Sequence, residues 1–203
     1  MAQSFLYSVY TPPKKFSSLS ILPNRVHTDA SINKPIPHVF VPCRPTPELI
    51  QKSAASIVNL LKYQLPDIFE DQQSQKEDND VVETLLKEML DYLKNTLDVS
   101  TVEMIHSLYL LILLVDSDVI LRKRGDLPAI ALNNLCTILL CTTLVAVKFQ
   151  RDTPPHFLDW ASLFEVTPSF LVSSEINLLN RIHHAVWMSN ESLEYILRVI
   201  STF

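Results

Sequence analysis

Residues 135–175 read LCTILLCTTLVAVKFQRDTPPHFLDWASLFEVTPSFLVSSE, and this stretch decides the fold. Its first part is a long apolar run that predicts a helix ending at about Phe149. Two prolines then interrupt helical structure before a short helix predicted near residues 157–164. A second amphipathic segment follows and carries Glu175. The stretch therefore predicts two longer helices joined by a link that contains one short helix.

Periodicity and capping patterns extend this prediction to the rest of the chain. The segment LYLLILLV, residues 108–115, is apolar on all sides and is expected to be buried on all sides. We find no convincing strand, so the predicted fold class is all-α. The predicted helices cover about residues 47–63, a run with apolar spacing from Val82 to Leu97, a helix opened by the capping box Ser100 and Glu103, a helix from Asp126 to about Phe149, the short helix, a helix from Thr167 to about Trp187, and a last helix capped by Ser189.

Composition divides the chain into four parts. Residues 1–45 are rich in proline and lack a sustained apolar period, which predicts a disordered or extended tail. Residues 46–65 form the N-terminal helix, and residues 66–80 are acidic and poor in apolar side chains, as in a linker loop. Residues 81–203 are the main helical domain.

Composition also excludes several classes of protein. Among 203 residues there is a single glycine, Gly125, so phosphate-binding loops and nucleophile elbows are not expected. The net charge of −5 argues against a dedicated nucleic-acid binder, which would carry a basic face. Three cysteines without a CxxC spacing indicate neither a disulfide framework nor a zinc site. No cofactor is expected.

The sequence gives no sign of export or membrane insertion. No uninterrupted apolar stretch reaches the roughly 18 to 20 residues that cross a bilayer, and the two most apolar runs are interpreted as core helices. The N-terminus lacks a basic region followed by an apolar core, which is the pattern of a secretory signal. An intracellular location, cytoplasmic or nuclear, is therefore expected, with no membrane partner.

The sequence gives little support for a catalytic or a metal-binding site. His183 and His184 are adjacent and would point about 100° apart on a helix, so they do not suit one metal ion. Asp116 and Asp118 fit a cap or a structural ion pair better than a pair of catalytic carboxylates. Because no nucleophile has a supporting motif, the chain is not expected to be an enzyme.

Two other features invite a binding or regulatory interpretation. Arg122, Lys123 and Arg124 form a basic cluster that fits either an anion contact or a solvated loop. Threonine precedes proline at four sites, where a proline-directed kinase could act: Thr11, Thr46, Thr153 and Thr167. For Thr46 and Thr167, a helix-capping role explains the pattern without regulation.

Two short motifs, VAVKF at residues 145–149 and SSEINLLNRI at residues 173–182, lie in this order of helices and together resemble the cyclin box. In cyclins the third box helix ends in a Lys-Phe motif and the fifth carries a Glu before an apolar pair. The corresponding residues here are Ala146, Lys148 and Phe149 in VAVKF, and Glu175, Leu178 and Leu179 in SSEINLLNRI. The spacing between the motifs looks most like the short single-box cyclins of the Pho80 and cyclin Y type.

This resemblance implies a five-helix cyclin box flanked by N- and C-terminal helices. The third and fifth box helices would dock on the regulatory helix of a cyclin-dependent kinase, so the chain would form a heterodimer that activates or redirects that kinase. Carried over, Lys148 and Glu175 would fix each other and contact the kinase. Val145, Phe149, Leu179 and Val186 would line an apolar pocket, and His184 stands where the family usually has an aromatic residue.

Other interpretations stay open at this point. Lys148 alone is explained as a cation at the negative end of its helix dipole, and Glu175 as a solvated side chain. The alternative function is a cyclin-fold adaptor that binds another protein or nucleic acid without a kinase. A microbial protein that imitates a host cyclin is a further alternative.

Overall fold

The structure is a computed structural model that describes residues 43–69 and 75–201. These ranges contain seven α-helices. For residues 75–79 and 157 the structure describes the backbone alone. Within these ranges there is no strand, so the all-α prediction is confirmed; the predicted tail lies outside them except for residues 43–45. The helices are α1 (Pro47–Gln64), α2 (Gln75–Leu97), α3 (Thr101–Lys123), α4 (Leu135–Gln150), α5 (Phe157–Leu163), α6 (Pro168–Arg181) and α7 (Asn190–Ser201), with short 3₁₀ helices at Pro66–Phe69 and Leu132–Asn134.

Helix α3 lies at the centre and packs against α1, α4, α6 and α7. Its first turn carries the predicted capping box, in which Ser100 accepts from the backbone of Glu103 and the Glu103 side chain accepts from the backbone of Ser100. Five of the eight residues in the apolar run 108–115 are buried, while Tyr109, Ile112 and Leu113 are partly buried, so the expected burial on all sides is met in part. The burial of apolar side chains on several faces is the main source of its stability.

Hydroxyl groups join α3 to α4 inside the core. The hydroxyl of Ser107 lies 2.9 Å from that of Thr142 and 3.0 Å from that of Thr143. Both threonines also donate to the carbonyl of Leu139, one turn earlier in their own helix. These buried hydroxyls are therefore satisfied, and they fix the register in which the two helices pack.

A second polar link joins the start of α3 to the end of α4. The buried carboxylate of Glu103 accepts from Arg151 Nε at 2.5 Å and from Arg151 Nη2 at 2.9 Å, in addition to its bonds with Ser100. Burial raises the pKa of Glu103, but the hydrogen bonds from Arg151 and Ser100 outweigh it and hold the pKa below its usual value. The side chain is thus kept ionised within the fold.

Asp118 lies near the other end of α3 and determines where α4 begins, which differs from the predicted position. The helix expected to begin at Asp126 begins instead at Leu135. The fully buried carboxylate of Asp118 accepts from the backbone N–H of Ala129 at 2.5 Å and of Ile130 at 3.4 Å, which holds this segment outside the helix. A helix could not use these two N–H groups in the same way, so the buried charge decides the start of α4.

The helix predicted to run to Trp187 ends at Arg181, because the next residues turn sharply. His183 and His184 both have left-handed backbones, with φ of 53° and 57°. The backbone N–H of His184 donates to the carbonyl of Leu179 at 2.7 Å and closes the helix end. The predicted helical position of His184 was therefore wrong.

The predicted acidic linker, residues 66–80, is shorter than expected. Residues Pro66–Phe69 form a 3₁₀ helix, and α2 begins at Gln75 rather than near residue 81. Glutamine, lysine and glutamate at residues 75–77 have good helix propensity, which outweighs their low hydrophobicity.

Two long helical segments are more apolar than expected. Thr101–Lys123 and Leu132–Gln150 meet the length and composition of a membrane span, although the sequence analysis expected no stretch of that kind. More than half of each span is buried against other parts of the chain, a pattern that core helices also show.

We expect Asp118→Ala to lower the free energy of unfolding by about 3 to 5 kcal/mol, because it leaves buried cationic and N–H groups without their acceptor. Asp116→Ala, two residues earlier on the exposed surface of the same helix, is the matched control and should change it by at most about 0.5 kcal/mol. Urea denaturation followed by circular dichroism measures both. Equal losses in the two variants would contradict the role given to Asp118.

Candidate functional site

Lys148 and Glu175 form an ion pair between the end of α4 and the middle of α6. Lys148 Nζ lies 2.8 Å from Glu175 Oε1 and 2.6 Å from Oε2, so the ammonium contacts both carboxylate oxygens. The side chains are 32% and 17% exposed. A pair that is largely but not fully withdrawn from water is held in one geometry and is still within reach of a partner.

Apolar side chains lie to one side of Glu175 on the outer face of α6. Val172, Ile176 and Leu179 recur at helical spacing on the same side as Glu175, next to the stripe of residues that enters the core. Ile176 is 52% exposed and Val172 is also exposed, while Leu179 packs partly on the core. The charge pair therefore lies beside exposed apolar surface, which soluble chains commonly use for contact with a partner.

An aromatic cluster begins at Phe149, next to Lys148 in the last turn of α4. Phe149 is 42% exposed, and its ring makes edge contacts with His106 at 5.2 Å and with Trp187 at 6.0 Å between centroids. Trp187 is 73% exposed, whereas the other described tryptophan, Trp160, is buried. Edge-to-face contacts of this kind hold aromatic rings in fixed positions without burying them.

Side chains of α3 fix the irregular segment that carries Trp187. The ring of His106 is hydrogen-bonded through Nε2 to the carbonyl of Val186 at 2.8 Å, and the Tyr109 hydroxyl donates to the carbonyl of Trp187 at 3.2 Å. The segment after α6 therefore has its carbonyl groups satisfied by α3 rather than by another helical turn. This explains how an exposed tryptophan is held in place.

His106 is buried and links three parts of the site. Its Nδ1 lies 3.0 Å from Nε2 of Gln150, so the arrangement fits a neutral ring that donates from Nε2 to Val186 and accepts at Nδ1. Burial lowers the pKa of His106 below its ordinary value near 6.5, and the hydrogen bond to Val186 only partly opposes this. The neutral form is thus the one that the fold requires.

The residues of the predicted pocket differ in their exposure to solvent and in their position relative to the helices. Val145 is only 5% exposed and belongs to the core, so it is not a surface that a partner can reach. Val186 is partly buried against the core, while His184 is exposed and lies off the helix. The predicted pocket between two continuous helices is therefore corrected: Lys148, Phe149, Glu175 and Leu179 share one region, but Val145 and His184 do not contribute as expected.

Of the predicted anion contact, the structure gives other partners to Arg122 alone, and the contact of Lys123 and Arg124 with an anion stays a prediction. Arg122 donates to Asp118 at 2.8 Å and to the carbonyl of Ile130 at 2.5 Å, and it also pairs with Asp67. Because these acceptors already occupy the guanidinium, it has a structural role. Lys123 and Arg124 are exposed next to Gly125, as in the solvated loop that was the alternative.

Sequence reasoning missed three residues of this surface: Val172, Ile176 and Trp187. The spacing of Val172 and Ile176 was visible in the sequence, because they lie four residues apart beside the buried stripe. Trp187 had no comparable signal. Its position depends on the left-handed turn at His183 and His184, which tertiary hydrogen bonds determine.

Two findings concern metal binding and thiol chemistry among the described residues. Within the part of the chain that the structure covers, no three His, Cys, Asp or Glu side chains are grouped to hold a metal ion. Cys141 is buried, and burial raises its pKa to about 12, so its thiol stays protonated.

Comparisons with protein-family models, with curated proteins and with solved structures found no match to this chain. The resemblance to the cyclin box rests on the helix order and on the motifs at residues 145–149 and 175–179. The family and the kinase-regulating role stay predictions.

We expect stability to fall as the pH drops below about 6.5, the ordinary pKa of an unfolded histidine. Because the folded pKa of His106 is lower, the unfolded chain takes up the proton first, and the stabilisation is lost as the pH falls through the folded pKa. His106→Gln should remove this part of the pH dependence between about pH 7 and 5. Denaturant titrations at stepped pH values measure it.

His184→Gln is the control for this experiment, because His184 is exposed and should leave the pH dependence as in the wild type. A wild-type chain whose stability is constant over this interval would contradict the buried neutral state of His106.

Proposed function

We propose that this chain is a cyclin-like regulatory subunit that binds the regulatory helix of a cyclin-dependent kinase. The binding surface consists of the Lys148–Glu175 pair with the exposed Phe149, Val172, Ile176 and Trp187 around it. The observation that carries the proposal is the ion pair itself, because it joins the two motifs on which the resemblance rests. This function belongs to cell-cycle control or signalling.

The chemistry of the surface supports a helical partner. A partly buried charge pair at the edge of apolar surface sets the register of a docked segment, while the apolar side chains provide affinity. The exposed residues Val172 and Ile176 lie one helical turn apart and Glu175 lies between them in sequence. An amphipathic helix laid across this face would meet apolar side chains and charge within the same turn.

The proposed mechanism is a shift in the population of kinase conformations. A free kinase samples the active arrangement of its Lys-Glu pair rarely, and a subunit that binds that arrangement more tightly raises its population. Raising an active state from 1% to 99% requires about 10⁴-fold tighter binding to it, or roughly 5.5 kcal/mol. The chain would supply this binding free energy and no catalytic group.

A direct binding experiment with purified cyclin-dependent kinases tests the proposal. Lys148→Ala combined with Glu175→Ala should weaken binding to a recognised kinase by at least about 2 kcal/mol, because both the register and the paired charges are lost. The matched control replaces the exposed pair of α1, Glu48→Ala with Lys52→Ala, and should bind normally. Calorimetry gives the affinity, and phosphorylation of a substrate peptide reports activation.

Two results would reject the kinase-binding function: equal affinity of both double variants, or no binding to any kinase of the panel. Nucleic-acid binding with a steep dependence on salt would instead favour the adaptor function.

Trp187 is a second test of the same surface. Trp187→Ala should weaken kinase binding without changing the free energy of unfolding, because exposed aromatic side chains at an interface often carry much of its affinity. Tyr63→Ala replaces an exposed aromatic residue on α1 and is the control. A similar loss of binding in both variants would argue against a specific role for Trp187.

A further inference from the structure

Threonine-proline pairs occur at three positions within the described residues. They are Thr46 with Pro47, Thr153 with Pro154, and Thr167 with Pro168; the fourth, at Thr11, lies outside the described residues. The sequence alone does not distinguish them as acceptors for a proline-directed kinase. The surroundings of each hydroxyl in the structure do.

Two of these hydroxyls already have a structural role. Thr46 accepts from the backbone N–H of Leu49 at 3.1 Å, and Thr167 accepts from that of Phe170 at 3.2 Å, so each caps a helix. The proline that follows each threonine lies in the first helical turn. Since the chain continues as a helix directly after the proline, neither site can enter a kinase cleft without unwinding a helix end.

Thr153 has different surroundings. It lies in the link between α4 and α5, where the backbone is extended at Arg151 (φ −104°, ψ 133°) and again at His156 (φ −63°, ψ 141°). Thr153 is exposed, as are Asp152 and Pro154 beside it. Among the hydrogen bonds of the described residues, none involves the Thr153 hydroxyl. The oxygen is therefore available for reaction.

The chain bends at Asp152 and Thr153, and the residues after Thr153 delay the next helix. Pro154 restricts the residue before it to extended conformations, and Pro155 does the same for Pro154. Helix α5 begins only at Phe157, where the His156 side chain accepts from the backbone N–H of Leu158. Three residues thus separate Thr153 from the next helix, whereas at Thr46 and Thr167 the helix begins at once.

We propose that Thr153 is a phosphorylation site for a proline-directed serine/threonine kinase that uses ATP. The kinase forms a bond between Thr153 Oγ1 and the γ-phosphorus of ATP, as the bond from that phosphorus to the bridging oxygen breaks. The hydroxyl proton passes to the kinase's base and ADP leaves. The chain gains about 1.5 to 2 negative charges at this position.

The nearest cation along the chain gives this modification a structural consequence. Arg151 precedes Thr153 by two residues, a distance of at most about 7 Å along extended backbone. Its guanidinium already holds Glu103, and arginine also pairs well with phosphate. The phosphate would therefore add a second anion beside the link between α3 and α4.

The site is tested on the full chain carrying Thr11→Ala, with an active cyclin-dependent kinase complex and radiolabelled ATP. The label should map to Thr153 by tandem mass spectrometry. Adding Thr153→Ala should abolish the labelling, and adding Thr153→Ser instead should retain it. Pro154→Ala should also lose it, because the kinase requires proline after the acceptor. Circular dichroism confirms that each variant is folded.

Label on Thr46 or Thr167 with Thr153 unmodified would overturn the proposal. So would an unlabelled chain in a reaction where a reference threonine-proline peptide is phosphorylated. Neither result bears on the proposed kinase-binding surface, because that surface is tested with different variants and without ATP turnover on this chain.

Discussion

The buried carboxylate of Asp118 is the constraint on which most of the fold depends. Within α3 it binds Arg122, and outside α3 it accepts from the backbone of Ala129 and Ile130 and lies 3.7 Å from Arg181 of α6. An ion in the interior is tolerated only when such partners surround it. One side chain thereby holds residues 129–130 outside α4 and places the last residue of α6 near the end of α3.

Much of the helical architecture could be predicted because it depends on local signals. The capping box at Ser100 and the threonine-proline starts of α1 and α6 are encoded within four residues of each helix, and the structure confirms them. The boundaries that failed depend on distant residues. Asp118 keeps residues 129–130 out of α4, and His106 holds Val186 outside α6, at a separation of 80 residues in the chain.

The candidate site, too, could be predicted from the sequence only in part. The contact between Lys148 and Glu175 was expected from paired motifs, and their side chains do meet. Val145 could not be recognised as core, because periodicity alone does not separate the buried face of α4 from its edge. Trp187 could not be placed either, since two successive left-handed residues precede it, and such backbones are uncommon outside glycine.

The two tryptophans lie in opposite environments, and this makes the chain its own optical reporter. Trp160 is fully buried and stacks on Phe164, whereas Trp187 is mostly exposed and touches the edge of Phe149. Fluorescence of the buried indole responds to loss of the core, while that of the exposed indole responds to whatever covers the outer surface. Docking and unfolding would therefore leave separate spectral signatures in an unlabelled sample.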